Sequence, residues 1–190
     1  LTSVDRDDLF DGGSNHIARC VSASKRLSPN VVIEVLSPDF RGNLNHLDTL
    51  LDSGLDVFSQ NIETVKRLTH VVRDPRAGYQ QTLKMLSHAH KKGFVSKSGM
   101  MLGLGEEKDE VIETMKDLYH NGVKILTLGQ YLRPTMNHLP VKKYIHPDEF
   151  SEYSNIGKKI GLEEVVAGPL IRSSYRADRA FMKLEETKNA

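Results

Sequence analysis

The chain alternates short apolar runs with amphipathic stretches, and this pattern limits its fold more than any other feature. The runs that predict strands are residues 31–36, 57–61, 95–102, 125–128 and 165–167. The stretches that predict helices are residues 14–28, 44–53, 77–92, 108–120 and 147–160. Buried strands separated by helices are typical of parallel β/α units with right-handed crossovers. The sequence therefore predicts an α/β fold in a single domain over residues 1–190.

Such a series of units can form either a doubly wound sheet or a (β/α) barrel. Polar residues follow directly after several predicted strands: Ser37, Asp39, Asn61, Glu63, Gln130 and Arg133. In a barrel the carboxyl ends of the strands form the rim that carries the chemistry. No glycine-rich dinucleotide fingerprint follows the first strand, and the glycines nearest to that pattern lie at residues 99–105. We therefore favour a barrel.

The composition excludes some function classes. Lys and Arg number 26 and Asp and Glu 25, so a broad nucleic-acid or membrane-surface role has no electrostatic support. No apolar run reaches the roughly 18 residues of a membrane-spanning helix. A single cysteine, Cys20, excludes an internal disulfide framework, and we expect it to be a small core residue of the first helix.

Two motifs carry polar groups on or beside predicted strands. Asn61 and Glu63 could simply prepare the next helix, but an amide and a carboxylate at this spacing can also bind adjacent ribose hydroxyls or an ammonium group. Lys97 lies within a predicted buried strand, where its charge needs a partner or an opening. The alternative is that Lys97 marks an exposed strand start.

Three further blocks are harder to explain as connectors. The first runs from Thr2 to Leu9 and continues into Asp11-Gly12-Gly13. Gln130-Tyr-Leu-Arg-Pro, with His138-Leu-Pro-Val after it, combines rigid prolines with polar side chains at a strand exit. Arg172-Ser-Ser174-Tyr175 could be a helix cap or a phosphate contact. His138 could equally serve only to fix its own loop.

These blocks, in this order, resemble the carboxyl-terminal half of lipoyl synthase, a radical SAM enzyme. The resemblance implies a partial (β/α) radical-SAM-type barrel, truncated at the amino terminus. It implies a parent reaction in which two sulfur atoms are inserted at C6 and C8 of a protein-bound octanoyl-lysine. The implied cofactors are S-adenosylmethionine (SAM) and two [4Fe-4S] clusters, one of which is consumed as the sulfur source.

The resemblance also assigns roles to residues of this chain, although it identifies no catalytic residue. Gly12 and Gly13 match a loop that approaches the methionine end of SAM, and Ser174 matches a serine ligand of the sulfur-donating cluster. The residues expected to bind the cofactors are Gly12, Gly13, Asn61, Glu63, Lys97, Gln130 and Arg172. Lys97 could meet the carboxylate of SAM, and Arg172 could balance charge beside the cluster.

One departure from the family pattern is large. Lipoyl synthases hold their clusters with two upstream cysteine triplets, and neither is present here. The chain also begins at Leu1 without an initiator Met. We therefore expect a piece of a longer protein that lacks the opening strand of the barrel and is inactive alone, because only Ser174 would remain as a cluster ligand.

The implied partner is an octanoylated lipoyl carrier domain, either H protein or the E2 lipoyl domain of a 2-oxoacid dehydrogenase. No targeting segment is visible, so the expected location is a mitochondrion or plastid for a eukaryotic source and the cytoplasm for a bacterial one. Two alternatives remain. One is a non-catalytic barrel that binds SAM or the carrier protein, and the other is a metal-independent barrel enzyme that uses Lys97 or Glu63.

Overall fold

A computed structural model describes residues 1–174 of the chain and contains one parallel sheet. Its five strands are β1 (Glu34–Leu36), β2 (Val57–Ser59), β3 (Val95–Leu102), β4 (Val123–Gln130) and β5 (Glu164–Gly168). Each strand pairs with the next one along the chain, so the spatial order is β1-β2-β3-β4-β5. A doubly wound sheet would reverse its order at a switch point. This single direction of winding, which belongs to a barrel, confirms the predicted partial barrel.

The first residues of the chain extend this sheet. Thr2 forms a parallel bridge with Leu36, and the amide of Leu36 donates to the carbonyl of Leu1 at 2.9 Å. The amide of Ser3 donates in turn to the carbonyl of Leu36 at 3.2 Å. Because this segment runs parallel to β1, the loop that follows it leaves from the same edge as the carboxyl ends of the strands.

Within residues 1–174, six helices connect or flank the strands. They are α1 (Ser14–Leu27), α2 (Leu44–Leu51), α3 (Thr69–Val72), α4 (Tyr79–Lys91), α5 (Lys108–His120) and α6 (Pro147–Ile160). Local signals set the ends of α6, since Pro147 occupies its first turn and Gly161 adopts the left-handed conformation (φ 119°) after its last. None of the helices formed by residues 1–174 is long and apolar enough to cross a membrane.

The two faces of the sheet differ in polarity. The face toward the helices is apolar, with buried side chains that include Val35, Phe58, Leu102 and Leu126. The opposite face, which lines the inside of the barrel, carries Glu34, Ser59, Lys97, Gly99 and Thr127. Side chains alternate between faces along a strand, so one sheet presents an apolar core on one side and an interior on the other, where polar groups lie beside apolar side chains such as Val57 and Ile125.

The prediction that Cys20 is a core residue is wrong. Cys20 is exposed on α1, and its sulfur lies 3.7 Å from Nε2 of His16, one helical turn earlier. The buried positions on this face of α1 are Ser14, Ile17 and Val21. Residues on a helix are spaced by 100°, which turns Cys20 away from that buried stripe and toward solvent.

Candidate functional site

A cavity of about 190 Å³ opens at the carboxyl ends of β2, β3 and β4. Its lining includes Asn61, Glu63, Gly99, Gln130, Arg172 and Ser173. A neighbouring cavity of about 290 Å³ shares Asn61 and Glu63 and extends past Asp5, Asp39 and Arg73. The structure therefore brings together four of the predicted site residues, Asn61, Glu63, Gln130 and Arg172; the sequence places the first three at this edge of the sheet.

Gly99 keeps the floor of the first cavity open. A Cβ at this position would lie 2.7 Å from Oδ1 of Asn61 and 2.8 Å from Oγ1 of Thr127, closer than real side chains approach. The same Oδ1 atom is buried and has no hydrogen-bond partner among residues 1–174. A buried acceptor without a donor is costly, so this oxygen fits a ligand that brings a hydroxyl or amino group.

Glu63 is held at the rim by the backbone of β3. Its amide donates to the carbonyl of Gly99 at 3.0 Å, and its carbonyl accepts from the amide of Met101 at 2.9 Å. These bonds hold Glu63 in the left-handed conformation (φ 66°), which is uncommon for residues other than glycine. Such strain persists where the surrounding structure enforces it, and it is frequent at functional sites.

The carboxyl group of Glu63 is sensitive to its environment. Burial raises its pKa, and a hydrogen bond from Asn61 and the positive charge of Arg73 oppose that rise without cancelling it. A carboxyl group in this state can accept hydrogen bonds from a polyol and responds strongly to a nearby cation. Raised pKa values of this kind, inside a cleft, are typical of binding or catalytic sites.

Gln130 lines the cavity, but its amide group is bound within the chain. Nε2 donates to the carbonyls of Tyr131 (3.0 Å) and Lys143 (3.1 Å), and Oε1 accepts from the amide of Ile145 (2.9 Å). The side chain is 4% exposed. Gln130 therefore anchors both ends of the segment that forms one wall of the site, and its contact with a cofactor stays a prediction.

Lys97 lies deeper in the barrel and lines neither cavity. It is 1% exposed, so the alternative of an exposed strand start is wrong. Its Nζ donates to both carboxylate oxygens of Glu34, at 2.9 and 2.8 Å. The expected partner was the carboxylate of a cofactor, whereas the structure supplies a carboxylate of the chain itself.

Gly12 and Gly13 do not reach the cavity beside Asn61. Gly13 (φ 83°) is the residue before α1, and its amide donates to the side chain of Asp11 at 3.0 Å. Gly12 (φ 59°) packs against Phe40, whose Cδ1 would lie 2.9 Å from an added Cβ. Both glycines are thus required by the turn itself, and the predicted contact with SAM stays a prediction.

The last described segment crosses the end of β4. Arg172 donates to the carbonyl of Ile171 at 2.7 Å and lies beside Gly129, which has no side chain to block it. Ser173 lines the cavity, whereas Ser174 is exposed. Tyr175, the last residue of the predicted motif, lies outside the described residues.

An iron–sulfur cluster does not fit the residues that the structure describes. Between Leu1 and Ser174, no three His, Cys, Asp or Glu side chains are grouped so that they could hold a metal ion. Cys20, the single cysteine of the chain, is exposed on α1, and Cys20 and Ser174 by themselves are too few ligands to hold a cluster. The assignment of Ser174 as a cluster ligand therefore stays a prediction.

His138 has a structural role in its loop. Its Nδ1 lies 2.9 Å from the hydroxyl of Thr135, and its carbonyl accepts from Nε of Arg133 at 2.8 Å. The alternative that His138 fixes its own loop by hydrogen bonding is confirmed.

Sequence reasoning missed two residues of the site. Thr127 lies two positions before Gly129, and the alternation of β4 could have placed it on the inner face. Arg73 lies in the connection between α3 and α4, and its proximity to Glu63 arises only from the fold. No local signal in the sequence distinguishes Arg73 from other arginines of the loops.

A parallel partial barrel with a polar cavity at the carboxyl ends of its strands defines a class of barrel enzymes. The family profile described as "Radical SAM superfamily" matches residues 1–118, and the chain belongs to this superfamily. Among solved structures, methylornithine synthase (PylB) aligns with a TM-score of 0.65 over 99% of this chain and 66% of its own. At 11% identity that likeness shows the fold alone.

The resemblance to lipoyl synthase is confirmed by similarity over most of the chain. Lipoyl synthase of Ectopseudomonas mendocina is 60% identical over 185 residues, which cover 96% of this chain and 53% of the relative. Lipoyl synthase of Thermus thermophilus is 56% identical, with 57% of it covered. Lipoyl synthase 2, chloroplastic, of Populus trichocarpa is 56% identical, with 47% of it covered. The chain thus spans about half the length of these bacterial and plant relatives.

Proposed function

We propose that this chain is part of a lipoyl synthase that inserts two sulfur atoms at C6 and C8 of an octanoyl-lysine on a carrier domain. The observation that carries the proposal is 60% identity to such an enzyme across 96% of the chain. Identity at this level supports a shared reaction as well as a shared fold. The cavity beside Asn61 and Glu63 gives the reaction a place on the rim where barrel enzymes act.

We propose that the cavity binds the nucleoside part of SAM. Asn61 and Glu63 would bind the ribose hydroxyls, because Oδ1 of Asn61 is a buried acceptor without a donor and Glu63 lies two residues further along the rim. Gly99 leaves room for the ligand against the floor of the cavity. When bound, SAM would supply the organic radical that activates the octanoyl chain.

The chain's own residues would bind and orient the ligand and shield it from water. Gln130 holds the segment of residues 131–145, of which Leu132 forms part of the cavity wall, and the hydroxyl of Tyr131 donates to the carbonyl of Leu139 at 2.9 Å. These bonds fix the wall before a ligand arrives, which lowers the entropic cost of binding. A closed wall would also keep water from reactive species in the site.

Two [4Fe-4S] clusters belong to the proposed whole enzyme. The residues described here do not form a site for either cluster, so the remaining half of the enzyme would supply the cysteines, with Ser174 as the proposed contribution of this chain. We therefore propose that residues 1–190 alone are inactive.

The direct test uses the full-length protein that contains this chain. It is purified without oxygen, reconstituted with iron and sulfide, and given SAM, a reductant and octanoylated H protein. Mass spectrometry of the carrier should show the gain of two sulfur atoms per octanoyl group. Cleavage of SAM without any gain of sulfur would contradict the proposed reaction.

The role of the cavity is tested with Asn61→Ala in the same full-length protein. We expect the dissociation constant of SAM to rise on the order of tenfold, since about 1.4 kcal/mol is lost with one hydrogen bond to a polar ligand. Asn121→Ala, at the end of α5 and away from the cavity, is the matched control. Equal affinities for the two variants would argue against SAM binding at Asn61.

Binding and turnover measured without iron distinguish the alternatives. Binding of SAM or the carrier without turnover would favour the non-catalytic barrel. Turnover by the chain without iron would favour a metal-independent enzyme. We expect neither result.

A further inference from the structure

The loops after β4 and β5 form a surface with an unusual distribution of charge. We name it the β4–β5 rim and define it as residues 131–146 and 169–172. The rim contains no Asp or Glu, although 25 such residues occur in the chain. The same rim carries four side chains with a permanent positive charge: Arg133, Lys142, Lys143 and Arg172.

Most of this positive charge is not neutralised within residues 1–174. Arg133 donates to the carbonyls of Met136 and His138, and Arg172 donates to the carbonyl of Ile171. Neither guanidinium forms an ion pair with a carboxylate of the described chain, and neither does Lys142. Lys143 alone has such a partner, because its Nζ lies 2.7 Å from Oε2 of Glu149. The rim is therefore cationic on a chain that is nearly neutral overall.

Large apolar side chains are exposed among these charges. Leu132, Met136, Tyr144 and Leu170 are 47%, 80%, 72% and 79% exposed. Large apolar side chains exposed on neighbouring loops are typical of a surface that binds another macromolecule. Tyr, Met and Arg are also the residue types enriched at protein–protein interfaces.

The β4–β5 rim borders the mouth of the candidate site. Leu132 and Arg172 belong to the rim and also line the cavity beside Asn61. The rim is held in place by Gln130 and Tyr131, so little order would have to be gained on binding. A side chain of a partner bound to the rim could therefore reach the cavity.

We propose that the β4–β5 rim is the docking surface for an acidic protein domain. Charge complementarity selects this occupant, since the rim presents uncompensated cations around exposed apolar side chains. The identity of the domain rests on the proposed function: it is the octanoylated carrier, whose modified lysine enters the cavity past Leu132. The proposal deepens that function by naming the surface that recognises the protein part of the substrate.

The test compares a large and a small substrate of the full-length enzyme. The variants are Lys142→Glu, Tyr144→Ser and the double variant. The control is Lys159→Glu, which makes the same charge change at the carboxyl-terminal end of α6, at the opposite end of the barrel. The substrates are the octanoylated carrier domain and a short uncharged peptide that contains octanoyl-lysine.

For the double variant, whose two substituted side chains line neither cavity, we expect KM for the carrier to rise on the order of tenfold, with kcat and the kinetics of the peptide unchanged. The effect of Lys142→Glu should shrink as salt is raised, because exposed charges are screened beyond about 10 Å at 0.1 M. The control should leave both substrates unaffected.

Three results would overturn the proposal or separate it from the proposed function. An unchanged KM for the carrier in the double variant would overturn it. An equal loss with carrier and peptide would also overturn it, because the rim would then act on the site itself. If the wild type turns over neither substrate, the proposed function fails, and carrier binding measured by calorimetry still tests the rim: weakening by Lys142→Glu, but not by Lys159→Glu, supports docking.

Discussion

The Lys97–Glu34 ion pair offers the most direct test of how the barrel interior is held together. Lys97 is 1% exposed, and its ammonium meets both oxygens of Glu34. Lys97→Met removes the charge with little change in volume and leaves the carboxylate of Glu34 without its partner. We therefore expect a large loss in the free energy of unfolding.

The magnitude follows from the burial of the two groups. Removing one partner of a buried ion pair costs about 3–5 kcal/mol, because the remaining charge stays desolvated. The side chain of Glu34 is 19% exposed and keeps some contact with water, so we expect the lower end, about 3 kcal/mol. The double variant Lys97→Met/Glu34→Leu should recover most of this loss, since an apolar pair of similar volume needs no solvation.

The assay is a double-mutant cycle measured by chemical unfolding. Lys159→Met is the control, because Lys159 is exposed and its replacement should change the free energy of unfolding by at most about 0.5 kcal/mol. A loss below about 1 kcal/mol for Lys97→Met, or additive losses in the double variant, would refute the reasoning. The pair would then contribute no more than an exposed one.

Three further predictions concern the site. Gly99→Ala should weaken SAM binding on the order of tenfold in the full-length protein, because its Cβ would displace the Asn61 side chain; Gly78→Ala, where a Cβ meets only an ordinary contact, is the control, and equal titration curves would contradict this. Gln130→Ala should lower the free energy of unfolding by about 1–3 kcal/mol and speed amide hydrogen exchange in residues 131–145. Unchanged exchange there would show that other contacts hold this segment. Glu63→Gln should raise the melting temperature at neutral pH. Burial raises the pKa of Glu63, so the stability linked to its protonated form is complete below the ordinary value of 4.5 and is lost as pH rises through the raised pKa. The gain over wild type should therefore vanish below pH 4.5, and a gain of equal size at low pH would exclude this cause.

Local signals explain the parts of the fold that the sequence predicted best. The bounds of β3, α5 and α6 are those that the pattern indicates. Strand β1 is shorter than its apolar run at residues 31–36, and two 3₁₀ turns, Phe40–Gly42 and Lys66–Leu68, have no counterpart in the prediction. Strand ends depend on pairing with neighbours, whereas helix ends depend on residues nearby in the chain.

The candidate site also contains residues whose positions the sequence could predict and residues whose positions it could not. Asn61, Glu63 and Gln130 could be placed together from the sequence because parallel strands end at one edge of a sheet, whereas the strand pattern gave no such position for Arg172. The sequence could not predict that Gly12 lies apart from that cavity. A loop that leaves the same edge of the sheet can turn toward a different neighbour, which here is Phe40.

The sequence by itself determined the β/α order, the polar rim and the resemblance to lipoyl synthase, because these depend on periodicity and on residues close together in the chain. Only the tertiary structure decided the partner of Lys97, which lies 63 residues away in the chain, and the exposure of Cys20. It also decided that Arg133, Lys142 and Arg172 form no ion pair with a carboxylate of residues 1–174, whereas Lys143 does. Charge pairing and burial are properties of packing, and packing brings together residues whose separation in the sequence carries no information about their distance.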